Sequence, residues 1–236
     1  MLAQQTEDLW TADYELRVAP ATPFPTRMTV IRLPDHSLVL ISPIPLDDSL
    51  AAELGGLGPV SYLLAPSLLH HLHLAAAQRR YPRARLLGPA QLAKKEHALT
   101  FEPIDLANSP ALRDTFSAEL IGGAPKLSET VLLHRPSRTL LVTDLVFNID
   151  APPAWTTSML LRLNGTRGRL AQSRLWRLIV EDVSLAQASC ERILGWDFDR
   201  LVVAHGNVIP AGAKARLAGA LTYTGSPAWR EALARG

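Results

Sequence analysis

The hydrophobic positions of residues 10–45 predict β-strands joined by tight turns. Two β-rich runs, Met28–Leu33 and Ser37–Ser42, flank the turn-forming sequence Pro34-Asp-His-Ser37, which is the pattern of a hairpin. The stretch Ala19–Pro25, just before them, is rich in proline. Because proline fixes φ and lacks an amide donor, this stretch is predicted to be extended or a loop.

The middle of the chain alternates predicted helices with short apolar strands. Asp47–Leu54 has the acidic first turn of a helix, and Gly55-Gly56 follows as an end signal. The apolar run Pro59–Ala65 is bounded by prolines and is typical of a buried strand. The other elements predicted in this part are helices at Leu72–Tyr81 and Leu92–His97 and strands at Arg85–Gly88, Phe101–Leu106 and Phe116–Leu120.

The second half contains the clearest β pattern. Glu129–His134 and Thr139–Thr143 are separated by Arg135-Pro-Ser-Arg138, which predicts a second hairpin that runs into Asp144. The remaining predicted elements are a loop at Ala151–Thr157, one or two helices within residues 171–194, a last strand at Arg200–Ala204 and a final helix at Ala211–Leu221.

The order of these elements predicts an α/β fold class. Hairpins come first, strands then alternate with helices, hairpins recur, and a strand–helix pair closes the chain. An αββα sandwich of two mixed β-sheets flanked by helices accommodates that order. No internal repeat, linker or change of composition interrupts residues 1–236. We therefore predict a single domain.

Composition excludes a disordered chain and disfavours a nucleic-acid partner. Of 236 residues, 47% are hydrophobic and 19% are charged, which suits a large buried core. The 24 basic and 22 acidic residues nearly balance, and basic residues adjoin only as the pairs Arg79-Arg80 and Lys94-Lys95. No basic block resembles a nucleic-acid-binding arm.

The cysteine content and the apolar runs bear on the cellular location. Cys190 is the only cysteine, so no internal disulfide and no thiolate cluster can form, and we expect a small helix residue rather than a catalytic one. The first residues lack an apolar signal sequence, and every apolar run is too short to span a bilayer. These features predict a cytoplasmic protein without a membrane partner.

Polar side chains follow three of the predicted strands. His70 and His71 come after the first buried strand, Asp144 after the second hairpin and His205 after the last strand. In α/β sheets, ligands and catalytic groups collect beyond the carboxyl ends of strands. Imidazoles and a carboxylate together suit zinc or iron. The simpler alternative is that the histidines cap turns and that Asp144 is an N-cap or Asx-turn residue.

These motifs resemble those of the metallo-β-lactamase-like superfamily. In that superfamily a strand is followed by His-x-His-x-Asp-His, and later by a Gly-His, an Asp after a strand and a final His after a strand. Pro66-Ser-Leu-Leu-His70-His71 looks like the first motif, with Pro66 and Leu68 at the leading histidine positions and His70 at the aspartate position. The chain is most like a bacterial branch in which a His-His pair replaces the longer motif.

The later motifs of the superfamily are matched unequally. Arg138-Thr-Leu-Leu-Val-Thr-Asp144 is similar to the strand with its bridging aspartate, and Val203-Ala-His205-Gly206 looks like the closing histidine. The middle Gly-His has no match, since that region reads Pro125-Lys-Leu-Ser-Glu129. In the superfamily, the leading and middle histidines build one metal site. The Asp-His pair and the final histidine build the other, and the later aspartate bridges both.

The resemblance implies that this chain lacks the first site and keeps the second. One divalent metal ion, zinc or iron, would be bound by His70, His71, Asp144 and His205, with Asp144 and His205 as catalytic residues. The implied function is a metal-dependent hydrolase of a small soluble ester or thioester, with an anionic substrate favoured. The alternatives are an inactive binding or scaffold protein of the same fold and a mononuclear iron oxidoreductase.

Other candidate residues have weaker patterns. His73 is expected to face solvent or to pack, and His134 to lie in the core or at a sheet edge. His36 and His97 are expected to be solvated. Glu129 is a candidate for a substitute metal ligand or for a hydrogen-bond acceptor behind the ligands. Trp155 is a candidate for the wall of a substrate pocket. The motifs Gly-x-Gly-x-x-Gly, Gly-x-x-x-x-Gly-Lys and Gly-x-Ser-x-Gly are absent, which disfavours nucleotide-binding folds and α/β-hydrolases.

Overall fold

The computed structural model describes residues 1–106 and 109–224, and the chain forms two compact units. Within the described residues, the first comprises Met1–Tyr14 and Arg27–Ser117, and the second comprises Glu15–Thr26 and residues 118–224. Each unit has its own hydrophobic core. The prediction that residues 1–236 form a single domain stays a prediction.

A six-stranded sheet contains the strands of the first half in chain order. Its strands are β1 (Ala3–Thr6), β2 (Leu9–Ala19), β3 (Thr22–Arg32), β4 (Leu38–Ile41), β5 (Val60–Leu64) and β6 (Arg85–Leu87). β3 pairs antiparallel with β4, whereas β4–β5 and β5–β6 are parallel. The predicted first hairpin is therefore confirmed. The proline-rich stretch is extended, as the ends of β2 and β3 with a turn between them.

The described part of the first unit also contains short helices. They are α1 (Asp48–Leu57), α2 (Leu74–Arg80), α3 (Pro110–Thr115) and a 3₁₀ turn at Ala90–Lys94. The Asp47 carboxylate caps α1 by accepting a hydrogen bond from the amide of Leu50 at 2.7 Å. Leu54 of α1 and Leu74 of α2 lie in the core with the buried side chains of β4 and β5.

Three boundaries in the first unit differ from the sequence prediction. α1 continues through Gly55 and Gly56, because its cap bond runs from the amide of Gly58 to the carbonyl of Leu54. The predicted helix at Leu92–His97 is the 3₁₀ turn, which ends at Lys94. The predicted strand at Phe101–Leu106 is wrong, since Glu102 forms only an isolated bridge with Leu87.

The second unit contains a mixed four-stranded sheet in the order β10-β9-β8-β7. Its strands are β7 (Phe116–Leu120), β8 (Thr130–His134), β9 (Thr139–Val142) and β10 (Arg200–Val203). β8 and β9 pair antiparallel as the predicted second hairpin, and β9 and β10 pair parallel. The prediction of two mixed sheets is confirmed.

In the residues that the structure describes, the second unit has four helices. They are α4 (Trp155–Asn164), α5 (Trp176–Ile179), α6 (Val183–Leu194) and α7 (Ala213–Ala220). The predicted loop at Ala151–Thr157 is wrong from Trp155 onward. Pro152 and Pro153, which indicated a loop, precede the N-cap residue Ala154 and lie outside the helix, so they take no part in its hydrogen bonds.

Helix α6 packs through residues at helical spacing. Ala186, Cys190 and Ile193 are buried in one core with the strands of the four-stranded sheet. Burial raises the pKa of the Cys190 thiol to about 11, so the thiolate is suppressed at neutral pH. The interpretation of Cys190 as a structural helix residue is confirmed. In the described part of the chain, no helix combines the length and the apolar character that crossing a membrane requires.

Gly123 offers a test of the contact between the β7–β8 connection and the start of α6. Its φ is 69°, and a Cβ there would lie 1.9 Å from the carbonyl oxygen of Asp182. Gly168 has nearly the same φ of 70°, but a Cβ there meets nothing within 4 Å. We expect Gly123→Ala to lower the free energy of unfolding by about 3 kcal/mol or more, and Gly168→Ala by about 1 kcal/mol.

Urea unfolding of both variants measures this difference. Gly168→Ala isolates the cost of an L residue at positive φ, and the excess in Gly123→Ala reports the backbone clash. If both variants lose the same free energy of unfolding, then the backbone around Asp182 moves away from the added Cβ at no energetic cost.

Candidate metal centre

The register of β9 and β10 places Asp144 beside His205. The two strands are parallel, and Val142 is paired with Val203 at the end of the ladder. Asp144 and His205 each lie two residues beyond that pair, on adjacent strands. As a result, Nε2 of His205 lies 3.5 Å from Oδ1 of Asp144.

Contacts within the second unit fix the His205 ring. Its Nδ1 lies 2.8 Å from the carbonyl oxygen of Pro25, and because a carbonyl can only accept, Nδ1 carries the proton that it donates. The ring stacks on Phe147, with centroids 5.0 Å apart, and meets the Phe24 ring at 64°. Its side chain is 8% exposed. Nε2 is therefore the nitrogen that faces Asp144.

The main chain of Asp144 is held from both sides. Glu129 is fully buried, and its carboxylate accepts hydrogen bonds from the amides of Thr143 at 2.7 Å and Asp144 at 3.2 Å. On the other side, the indole Nε1 of Trp176 donates to the Asp144 carbonyl at 2.9 Å. These bonds fix the turn that presents the Asp144 side chain, which is 14% exposed.

Glu129 is the group with the most perturbed electrostatics in this centre. Burial raises its pKa well above the usual range of a glutamate, and the negative charge of Asp144 is the second cause. Hydrogen bonds from the amides of Thr143 and Asp144 oppose this rise. Both oxygens of Glu129 accept hydrogen bonds from main-chain amides. This is the second of the two roles considered for Glu129 from the sequence, that of an acceptor behind the ligands.

The geometry of the Asp144–His205 pair fits a shared metal ion. A separation of 3.5 Å exceeds that of a normal N–H···O hydrogen bond. Two ligand atoms that are each about 2.1 Å from a tetrahedral zinc ion lie about 3.4 Å apart. Imidazole nitrogen and carboxylate oxygen are also donors that zinc and iron accept. The pair therefore has the spacing and the chemistry of two metal ligands.

The predicted ligands of the first unit, His70 and His71, follow β5. Nδ1 of His70 lies 2.5 Å from the hydroxyl oxygen of Ser42, at the end of β4. Nδ1 of His71 lies 2.9 Å from Oε1 of Glu96. Metal-binding histidines commonly have one ring nitrogen held in this way, with the other nitrogen directed at the metal. The assignment of His70 and His71 as ligands stays a prediction.

Two further histidines pack, which is one of the two outcomes expected for His73 and agrees with the core or edge position expected for His134. The ring of His73 meets Tyr14 edge to face at 5.5 Å, and burial lowers its pKa. His134 is buried at the end of β8, with Nδ1 2.6 Å from the hydroxyl oxygen of Ser137. These contacts give both residues structural roles.

The last sequence candidates lie on the surface. His36 and His97 are exposed in turns, which confirms the prediction that they are solvated. Trp155, weighed as a pocket wall, is the first residue of α4 and is 75% exposed. No sequence pattern indicated the roles of Pro25 and Phe147, because a backbone carbonyl and an aromatic ring on separate segments leave no local pattern around His205.

Comparison with protein families identifies the chain. The model of DUF4336, described as a domain of unknown function, matches residues 6–161. The chain belongs to the DUF4336 family. The match includes His70, His71 and Asp144 and ends before His205. A search of curated proteins found no match.

Solved structures show the fold of this DUF4336 member. A metallo-β-lactamase from Pontibacter korlensis is 14% identical, with a TM-score of 0.63 over 95% of this chain and 98% of that chain. One from Erythrobacter litoralis is 14% identical, with a TM-score of 0.66 over 94% and 95%. The metallo-β-lactamase FIM-1 from Pseudomonas aeruginosa is 11% identical, with a TM-score of 0.61 over 99% and 96%. The αββα fold predicted from the sequence is confirmed.

Glu129→Gln tests whether this carboxylate holds the turn before the candidate metal centre. Glutamine would place an NH₂ group against one of the two amide donors, which would leave that donor unsatisfied. We expect the free energy of unfolding to fall by about 2 kcal/mol or more. The matched control is Glu119→Gln, which weakens a surface ion pair with Arg192 and should cost less than about 1 kcal/mol.

Chemical denaturation of the two variants provides the measurement. If Glu129→Gln costs no more than Glu119→Gln, then the buried carboxylate does not hold the Thr143–Asp144 turn.

Proposed function

We propose that this protein is a metal-dependent hydrolase that acts on a small soluble ester or thioester at a single-metal site. The observation that carries the proposal is the Asp144–His205 pair, in which a carboxylate oxygen and an imidazole nitrogen lie 3.5 Å apart. The metallo-β-lactamase fold supports it. One similar structure is a metallo-β-lactamase in a mono-zinc form, so a protein of this fold can hold one zinc ion.

The proposed ligand set extends the pair with the adjacent histidines. The sequence resemblance assigns His70 and His71 to the positions of the Asp-His pair, and we propose His70 as the third ligand, with His71 as a further donor. Two or three imidazoles and one carboxylate suit either zinc or iron. When bound, such an ion lowers the pKa of a water ligand to near neutrality and polarises a substrate carbonyl.

The residues of the second unit have separate tasks in this proposal. The bond from Nδ1 of His205 to the Pro25 carbonyl fixes the tautomer in which Nε2 has the lone pair. Phe147 and Phe24 pack against the ring and exclude water from its faces. Asp144 supplies the negative charge, and Glu129 and Trp176 hold its main chain.

The two alternative functions predict different behaviour. Pro66 and Leu68 cannot coordinate a metal ion. If His70, His71, Asp144 and His205 bind no metal ion either, the scaffold alternative is favoured. An iron oxidoreductase would use the same residues but would require iron and an electron acceptor. The cytoplasmic location remains a prediction from the sequence.

The test of the hydrolase is metal-dependent turnover. The protein is stripped with a chelator, reconstituted with zinc or iron(II), and assayed with p-nitrophenyl acetate and with an acyl thioester. We expect hydrolysis only after reconstitution, with a loss of about 100-fold in kcat/KM in His205→Ala. Circular dichroism checks that the variant is folded, and the exposed His36→Ala is the matched control with unchanged rates.

Each contrary result of this assay selects an alternative. A folded protein that binds neither metal and has no turnover supports the scaffold. Iron-specific consumption of an electron acceptor without hydrolysis supports the oxidoreductase.

His70→Asp tests the third ligand through charge. With Asp144 as the only carboxylate, a divalent ion keeps a net charge of about +1, whereas a second carboxylate would bring it to about zero. We therefore expect His70→Asp to weaken phosphate binding to the metal-loaded protein by about tenfold and to leave metal affinity equal or higher. Isothermal titration calorimetry measures the first with phosphate added to the metal-loaded protein and the second with the metal ion added to the metal-free protein, and His73→Asp is the matched control. Unchanged phosphate affinity would remove His70 from the ligand set.

A further inference from the structure

Residues 151–180 of the second unit present an unusual number of exposed apolar side chains. Each of them is at least half exposed although it is large and apolar. We define the α4–α5 surface by these five side chains: Trp155, Met159, Leu163, Leu175 and Leu178. Exposed apolar side chains that cluster in this way mark interaction sites on folded proteins.

The side chains on α4 lie along one helix face. Trp155, Met159 and Leu163 follow one another at intervals of four residues, so they form a stripe, whereas Thr157 and Leu161 of the same helix are buried. The stripe is therefore the outward face of a helix whose inner face is already packed.

Hydrogen bonds connect the end of α4 to the start of α5. The guanidinium of Arg174 donates to the Leu163 carbonyl at 3.1 Å, and its amide donates to the Asn164 carbonyl at 2.9 Å. Leu175 follows directly, and Leu178 shares its face one turn later. Trp176 between them is buried, which anchors α5 with both leucines outward.

The charged side chains within residues 151–180 have one sign, and the acidic residues Asp150, Glu181 and Asp182 adjoin this stretch at its two ends. Residues 151–180 contain no aspartate, glutamate or lysine. They contain five arginines, all exposed: Arg162, Arg167, Arg169, Arg174 and Arg177. None of the five forms an ion pair with a carboxylate in residues 1–106 and 109–224. The surface therefore combines an apolar stripe with unneutralised positive charge.

We propose that the α4–α5 surface binds an anionic lipid bilayer at its surface. Helices that lie in a membrane interface combine apolar side chains, often including tryptophan, with flanking arginines that meet anionic headgroups. The expectation of no membrane partner was based on apolar runs too short to span a bilayer, and a surface contact needs no spanning run. This proposal does not depend on the proposed hydrolase.

Charge and chemistry argue against other occupants. In a symmetric dimer the same patch faces itself, so ten arginines would meet without a carboxylate from this stretch. Nucleic acid would use aromatic side chains for base stacking, but only Trp155 of the five apolar side chains is aromatic. An anionic bilayer offers acyl chains to the apolar side chains and negative headgroups to the arginines.

Vesicle co-sedimentation tests the proposal on the full-length protein. The probes are phosphatidylcholine vesicles and vesicles in which about one-third of the lipid is phosphatidylglycerol. We expect binding to the anionic vesicles that weakens with added salt, and at least tenfold weaker binding to pure phosphatidylcholine.

Matched pairs of variants locate the contact. We expect Leu163→Glu to reduce the partition coefficient by at least tenfold, and Arg177→Gln by about fivefold. The controls are Leu120→Glu and Arg79→Gln, which make the same changes at exposed residues of β7 and α2 and should bind like the unchanged protein. Circular dichroism confirms that each variant is folded.

Three results would overturn the proposal. The first is a protein that does not bind anionic vesicles at low salt. The second is binding that the control substitutions reduce as much as those on the α4–α5 surface. The third is a dimer without lipid that Leu163→Glu dissociates, which would assign the surface to a second copy of the chain.

Discussion

The parallel pairing of β9 with β10 is the constraint on which the candidate metal centre depends. Strand register is fixed by main-chain hydrogen bonds and by burial of alternate side chains, so a shift by one residue would turn every side chain to the opposite face. With Val142 opposite Val203, Asp144 and His205 emerge next to each other. The buried strands thus set the spacing between two residues that are 61 positions apart in the sequence.

Strand register alone does not orient the side chains of Asp144 and His205. Buried hydrogen bonds to the two residues fix their orientation. Glu129 and Trp176 hold the amide and the carbonyl of Asp144, while the Pro25 carbonyl holds Nδ1 of His205. A buried carboxylate is costly unless its oxygens are hydrogen-bonded. Glu129 uses its two oxygens for two main-chain amides of the turn that presents Asp144, and such support from behind is what a metal ligand requires.

The sequence predicted the parts of the structure that depend on local patterns. Both hairpins, the last strand and α6 follow from hydrophobic periodicity and turn residues. The positions of Asp144 and His205 at strand ends were also visible, because each directly follows an apolar run. The start of α4 was missed because prolines before Trp155 resemble a loop. The end of α1 was placed too early because glycine indicates a helix end, whereas the bond from the Gly58 amide to the Leu54 carbonyl closes a further turn. The contacts of Pro25, Phe24 and Phe147 with His205 depend on tertiary structure and have no local signal.

The central claim is that Asp144 and His205 bind one divalent ion, and cobalt(II) titration of the metal-free protein tests it most directly. Cobalt(II) can occupy zinc sites, and its visible absorption reports the coordination geometry and the number of bound ions. The account predicts an absorption that saturates at one equivalent and is lost in both Asp144→Ala and His205→Ala, while His97→Ala retains it. An absence of saturable absorption, or an unchanged titration in the Asp144→Ala/His205→Ala double variant, would contradict the account.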